Sequence, residues 1–441
     1  MVAKDRRQRI LVIALPIIGG MVSQNILNLV DTLMVSQLGD TALAAVGLGS
    51  FANFMCTAFI TGLSAGVQAI SARRVGEGRT DEQAVPLNGG LLLAGTLGLV
   101  MSVALFLSAG SWFPLLSNDS ALSATGVPYL QARLTAMVAI GMNFSFRGYF
   151  NGVGQSRLYM RTLVIMHVTN VVASYVLIFG AFGAPELGAL GAGIGSAFAT
   201  WVGTATYIAL GVRHARSGGF LRGLPDLPTM RSMTKLSLPA GLQQLFFAAG
   251  MTAFFAIIAR VGTRELAASN VLLNLLLVAL LPAMGFGMAS ASLVGQALGR
   301  NDEADARRWA SDVSKLAMVC ISVIALPALL VPDLLLLPFL RDPITLELAR
   351  WPLRLIALGM PIDTLGLVLM LSMQGAGDTR TVLYVSVGLQ WVLLLPAVYL
   401  VGNVLLYGLV GIWVTQLVYR SLQAGVFTLF WRRGRWAQVH V

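Results

Sequence analysis

The chain has 441 residues, 56% hydrophobic and 11% charged, with a net charge of +11 and two cysteines. Soluble domains carry about 25% charged residues, so an ordinary water-exposed globule is excluded. A disulfide framework is excluded with it, because Cys56 and Cys320 stand alone inside apolar tracts.

The first nine residues are basic and an apolar tract follows from Ile10 to Val35. That tract is longer than the core of a signal peptide and no small-residue cleavage site follows it, so it reads as a retained first helix. Apolar tracts then recur to the end of the chain, most of them near the roughly 20 residues that a bilayer crossing needs. Twelve spans are expected, at about 10–36, 44–72, 86–108, 125–147, 158–181, 188–212, 235–259, 267–295, 311–338, 351–374, 382–402 and 409–431. Stretches such as Gly89 to Phe106 are apolar on every side, which suits helices and not the alternating strands of a barrel. Most Lys and Arg residues fall in or beside alternate connections, while mid-membrane Arg and Lys look scarce. This positive-inside pattern places both termini in the cytoplasm and accounts for the net charge without a nucleic-acid partner.

Within the first tract, Gln24, Asn28 and Asp31 share one helical face. An acid at membrane depth is costly and points to a transport path or a packed interior, so Asp31 is the leading ion-coupling candidate. The fourth span offers Tyr129 and Asn143 as cavity-lining residues. In the fifth, His167, Asn170 and Ser174 share a face, with Asn170 placed to donate to Asp31 or to coordinate a cation. Asn270 and Asn274 share a face of the eighth span, and Asp363 lies mid-span beside Pro361 in the tenth. Asp363 is a second ion-coupling candidate. Each of these polar residues also has a plainer reading as glue between helices.

The connection around 213–234 splits the chain, and the halves repeat at an offset of 223 residues. Leu15-Pro16 returns as Leu238-Pro239, Gly39 as Gly262, Gly62 as Gly285, and Gly152-x-Gly154-x-x-Arg157 as Gly375-x-Gly377-x-x-Arg380. The expected fold class is therefore an all-α polytopic membrane protein with twelve transmembrane helices in two pseudo-symmetric six-helix lobes. Residues 1–212 form the N-terminal lobe, 213–234 a cytoplasmic linker and 235–441 the C-terminal lobe. Parallel repeats of this kind suit alternating access. Where the first repeat has Gln24, Asn28 and Asp31, the second has Phe247, Met251 and Phe254, an aromatic side that would pack flat apolar groups and attract cations. The glycine-rich turns at 148–154 and 375–377 lack a preceding strand and a phosphate-binding lysine, so they are no nucleotide site.

Taken in order, Leu15-Pro16, Asp31, Leu38-Gly39, Leu43-Ala44-Ala45-Val46-Gly47-Leu48-Gly49, Gly62, Arg73-x-x-Gly76 and Asn151-Gly152-x-Gly154-Gln155-Ser156-Arg157 resemble the MATE family. Gln243-Gln244 and Gln374-Gly375-x-Gly377-Asp378-Thr379-Arg380 extend the likeness through the second half. The bacterial DinF-like and NorM-like members are the most similar in pattern.

The resemblance implies an antiporter of the bacterial cytoplasmic (inner) membrane. It would export organic cations or amphipathic drugs as a monomer, without a cofactor and without enzymatic chemistry, against inward H+ or Na+. It also implies ion-coupling roles for Asp31, Asn170, Tyr129 and Asp363. Many relatives carry an aspartate where Ser174 stands, and the NorM-type glutamate of the seventh helix has no counterpart near Met251, Phe254 and Phe255; both departures favour H+. The competing readings are a flippase for lipid-linked precursors, which calls for a basic cavity, a dedicated metabolite exporter, and a channel.

Overall fold

A computed structural model describes residues 2–117, 119–340 and 342–439. Its helices are α1 (Lys4–Ser36), α2 (Asp40–Ala58), α3 (Leu63–Gly76), α4 (Val85–Trp112), α5 (Ser120–Leu134), α6 (Met137–Gly152), α7 (Ser156–Phe179) and α8 (Gly188–His214). They continue as α9 (Leu227–Val261), α10 (Thr263–Gly299), α11 (Glu303–Leu330), α12 (Pro332–Leu336), α13 (Pro343–Ala376), α14 (Thr379–Gly388), α15 (Leu395–Tyr399) and α16 (Gly408–Arg433). Short aspartates start several of them: Asp119, Asp302, Asp342 and Asp378 each accept a backbone N–H from the first turn. Glycines in the left-handed region end others, with Gly180 at φ 66°, Gly377 at 98° and Gly434 at 76°.

The chain is an all-α polytopic membrane protein, and the expected spans fall on helices, some of them broken. Among the described residues nine runs are long and apolar enough to cross a membrane on length and composition alone. The remaining three are the broken pair α5 and α6, the glycine- and threonine-rich α8, and α16, which carries Gln416, Arg420 and Gln423.

Several spans expected as single helices are interrupted, among them the second and the fourth. The second turns through a 3-10 stretch at Ile60–Gly62, where Thr57 Oγ1 donates to the Asn53 carbonyl at 2.8 Å and Thr61 Oγ1 to the Ala58 carbonyl at 2.7 Å. The fourth breaks at Thr135-Ala136, where Thr135 Oγ1 donates to the Ala132 carbonyl at 2.6 Å and Ser102 Oγ to the Leu134 carbonyl at 2.8 Å. Hydroxyls that occupy helix carbonyls compete with the backbone ladder. In the eleventh span the register loosens into π-helical turns at Leu389–Leu394 and Leu400–Val404, bracketing Pro396, whose ring nitrogen has no hydrogen to donate.

The chain folds into two compact units that do not follow the expected lobe boundaries. One, the N-unit, is Gly19–Gln244; the other, the C-unit, combines Met1–Ile18 with Leu245–Val441. The chain passes from one to the other inside α1 and again inside α9. Each of those helices contains a proline, Pro16 and Pro239.

In the N-unit, α2 packs on α5, α3 on α6, and α7 on α8. Its core includes Ile60, Leu63, Ala94, Phe113 and Met137. A ring cluster of Phe146, Phe150, Tyr207 and Phe220 closes one end. In the C-unit, α13 is central and packs on α10, α11 and α16, burying Leu272, Ile321, Leu353, Met360 and Trp413.

Candidate functional site

The N-unit gathers most of the polar residues singled out in the sequence. On α1, Gln24 Nε2 donates to Asn28 Oδ1 at 3.2 Å. Gln24 Oε1 lies 3.0 Å from Nε2 of His167 on α7. With its amide nitrogen committed to Asn28, Gln24 presents an acceptor, so the hydrogen is assigned to His167 Nε2. This chain is a polar link between α1 and α7.

Asp31 lies one turn further along α1, half-buried. Its Oδ1 is enclosed and makes no hydrogen bond. Burying a carboxylate without a hydrogen-bonding partner is expensive. Binding a proton or a monovalent cation removes that cost, which gives this position the chemistry of an ion-exchange group.

Asn170 is hydrogen-bonded elsewhere. Its Nδ2 donates to Ser196 Oγ at 3.1 Å, and its Oδ1 accepts from Ser174 Oγ at 3.0 Å. One bond joins α7 to α8 and the other stays within α7, and the amide makes no hydrogen bond to Asp31. Asn143 is committed in the same way: Nδ2 donates to the Thr200 carbonyl at 3.1 Å and Oδ1 accepts from Thr204 Oγ1 at 2.8 Å. The Tyr129 hydroxyl lies 2.8 Å from Ser50 Oγ. Its ring packs with Met34, Val35 and Ile178 over Gly49, where a Cβ would sit 2.5 Å from Tyr129 Cδ1.

In the C-unit the aromatic stripe divides. Phe254 is 2% exposed and belongs to the core, meeting Trp413 edge-on at 6.2 Å. Phe247 and Met251 are half-buried, and the Phe247 carbonyl accepts from Gln390 Nε2 at 3.4 Å. Asn270 and Asn274 are exposed on α10, Asn274 Nδ2 donating to the Asn270 carbonyl at 3.0 Å.

Asp363 is not a lone acid. Its Oδ1 lies 3.3 Å from Nη1 of Arg420 on α16. This corrects the expectation that basic residues avoid the middle of the spans. Another basic residue in a helical run, Arg147 on α6, donates from Nε to Ser64 Oγ at 3.4 Å and lies 4.2 Å from the centre of the Phe144 ring. The repeat held the missing signal, since Arg420 and Asp363 stand where the first half has Ala197 and Ile140.

Repeated apolar helices with a few polar residues deep inside them define a polytopic membrane transporter, and the comparison with known families agrees. The MatE family profile matches residues 16–176 and again 239–400, once in each repeat, so the chain belongs to the MatE family. It is a transporter and not an enzyme. Among the described residues no group of three or more His, Cys, Asp and Glu is placed to hold a metal ion.

Among solved structures, the chain is similar to a MOP superfamily transporter from Pyrococcus furiosus, for which a binding pocket of reversed polarity is described. The identity is 20% and the TM-score 0.88, over 99% of this chain and 97% of that one. An outward-facing multidrug resistance MATE transporter gives 20% and 0.89, over 98% and 96%. A MATE protein in a straight conformation gives 22% and 0.88, over 98% and 96%. At these identities the likeness establishes the fold.

Proposed function

We propose that this transporter is a secondary antiporter of the bacterial cytoplasmic membrane, with both termini inside, that exports organic cations or amphipathic drugs against inward H+ or Na+. The observation that carries the reading is the enclosed, unpartnered Oδ1 of Asp31 within a long, largely apolar helix, one turn from the Asn28–Gln24–His167 chain. In the outward-facing state Asp31 takes up the ion, which changes the polar face of α1 and releases the substrate. In the inward-facing state the ion leaves and the ionised carboxylate favours a cationic substrate. Such exchange works only if ion and substrate favour different states, because equal affinity for both shifts nothing. Family membership and the two-repeat fold support alternating access, and the likeness to a multidrug resistance transporter supports drug-like substrates. A lipid-linked precursor flippase fits less well, because the mid-span cation Arg420 is neutralised by Asp363.

The test is transport of a fluorescent organic cation into proteoliposomes with H+ and Na+ gradients imposed separately. Asp31→Asn protein of normal fold is expected to lose uphill transport under both gradients. Full coupled transport by that variant would remove Asp31 from the mechanism.

A further inference from the structure

Asp363 and Arg420 join α13 to α16 in the C-unit core. Glycines one turn to either side let α13 and α16 approach: a Cβ on Gly359 would sit 2.5 Å from Leu417 Cδ1, and one on Gly366 would sit 3.0 Å from Ala424 Cα. Between these contacts Arg420 Nη1 reaches Asp363 Oδ1 at 3.3 Å, with side-chain exposures of only 20% and 15%. The pair lines a small cavity of about 30 Å³ together with Trp413 and Gln416. The carbonyl oxygen Gln416 Oε1 is enclosed without a donor, and Trp413 Nε1, on a side chain 2% exposed, is enclosed without an acceptor. A buried amide oxygen without a donor is costly, and in this cavity it stands with a carboxylate beside a single guanidinium.

A carboxylate and an amide oxygen are the ligands a hard monovalent cation takes. Here the positive charge is supplied from within the chain. We propose that Arg420 is a tethered cation standing at a monovalent-cation site formed by Asp363 and Gln416, so that its guanidinium and a free ion exclude one another there. While the pair is closed Asp363 carries no exchangeable ion. The C-unit is electrically self-contained, and the exchangeable charge belongs to the N-unit. The inference concerns ion binding and does not depend on which solute is transported.

The test measures thermal unfolding of the full-length protein in detergent, in NaCl or KCl against choline chloride at equal ionic strength. An Asp31→Asn background silences the N-unit acid. In that background the melting temperature is expected to be the same in all three salts. Adding Arg420→Gln is expected to introduce a rise of several degrees in NaCl or KCl, since an ion that binds only the folded state stabilises it by mass action. Further addition of Asp363→Asn is expected to abolish the rise, and Gln416→Leu to weaken it. If Arg420→Gln alone does not fold, the proposal requires Arg420→Gln with Asp363→Asn to fold, because the defect is an uncompensated carboxylate. Three results overturn it: a salt-dependent shift with Arg420 intact that Asp363→Asn removes, a folded Arg420→Gln protein indifferent to Na+ and K+, or no rescue by the double substitution.

Discussion

Gly62 lies so close to Gly241 that a Cβ built on it would stand 2.2 Å from the Gly241 backbone nitrogen. The same contact recurs at the repeat offset, where a Cβ on Gly285 would stand 2.4 Å from Cγ1 of Ile18. The start of α9 thus packs on the second span of the N-unit, and the start of α1 packs on the equivalent helix of the C-unit. This exchange explains why the compact units cut across the sequence halves. The two sites differ in what blocks the methyl group. At Gly62 it is backbone, which cannot turn aside, whereas at Gly285 the nearest atom is side chain. Gly62→Ala is therefore expected to cost about 1–3 kcal/mol, the usual toll of overpacking, and Gly285→Ala less. Gly47→Ala, with nothing within 4 Å, should be neutral or slightly stabilising, since alanine favours helix by up to about 1 kcal/mol. Thermal unfolding of the three variants in detergent ranks them, and an equal loss at all three sites refutes the packing argument.

The exchanged end of α1 is also fastened by charge. Arg6 donates from Nη1 to Asp305 and from Nε to Asp312, both at 2.6 Å, and lies 3.6 Å from the centre of the Trp309 ring. A fork between two carboxylates over an indole uses the planarity of the guanidinium, which lysine does not share. Arg6→Ala is expected to destabilise by about 1–3 kcal/mol, and Arg6→Lys to recover less than half of the loss. Lys4→Ala, at an exposed position, should change stability by less than about 0.5 kcal/mol. Unfolding curves for these variants check the order.

Much of this architecture was legible before any coordinate. Hydropathy locates the spans because lipid leaves the backbone only helix to satisfy itself. The 223-residue register survives because glycines such as Gly152 and Gly375 meet equivalent carbonyls: a Cβ there would stand 2.8 Å from the Gln68 oxygen and 2.3 Å from the Ala291 oxygen. Asp31 was legible because an acid stands out against hydrocarbon. The breaks near Thr57 and Thr135 were not, since window averages do not register which carbonyl a hydroxyl takes. Nor was the partner of Asp363, which depends on how α13 and α16 rotate against each other. The exchange of helix starts between units has no local signal at all.

Asn170 tests whether a residue of the α7–α8 polar contact takes part in ion coupling. Both ends of its amide are committed, to Ser196 and to Ser174. Asn170→Ala is expected to leave buried hydroxyls short of partners and to cost about 1–3 kcal/mol. The ion dependence of uphill transport per folded molecule should be unchanged. A change in the H+ or Na+ requirement, measured in proteoliposomes reconstituted at matched amounts of folded protein, would return Asn170 to the coupling set.

His167 invites the same question, because imidazole is the side chain most readily titrated near neutrality. Its Nε2 is held by Gln24 Oε1 at 3.0 Å, while Nδ1 is enclosed and makes no hydrogen bond. A neutral amide can reproduce the one contact the ring makes. His167→Gln is therefore expected to transport with an unchanged pH profile and a loss of no more than about 1 kcal/mol in stability. His167→Leu should cost more, since it strands the Gln24 oxygen. Asp31→Glu keeps an acid but moves it by one methylene, and it is expected to shift the pH midpoint of coupled transport. If the profile follows His167→Gln and ignores Asp31→Glu, the exchangeable proton belongs to the imidazole, and the role given to Asp31 passes to α7.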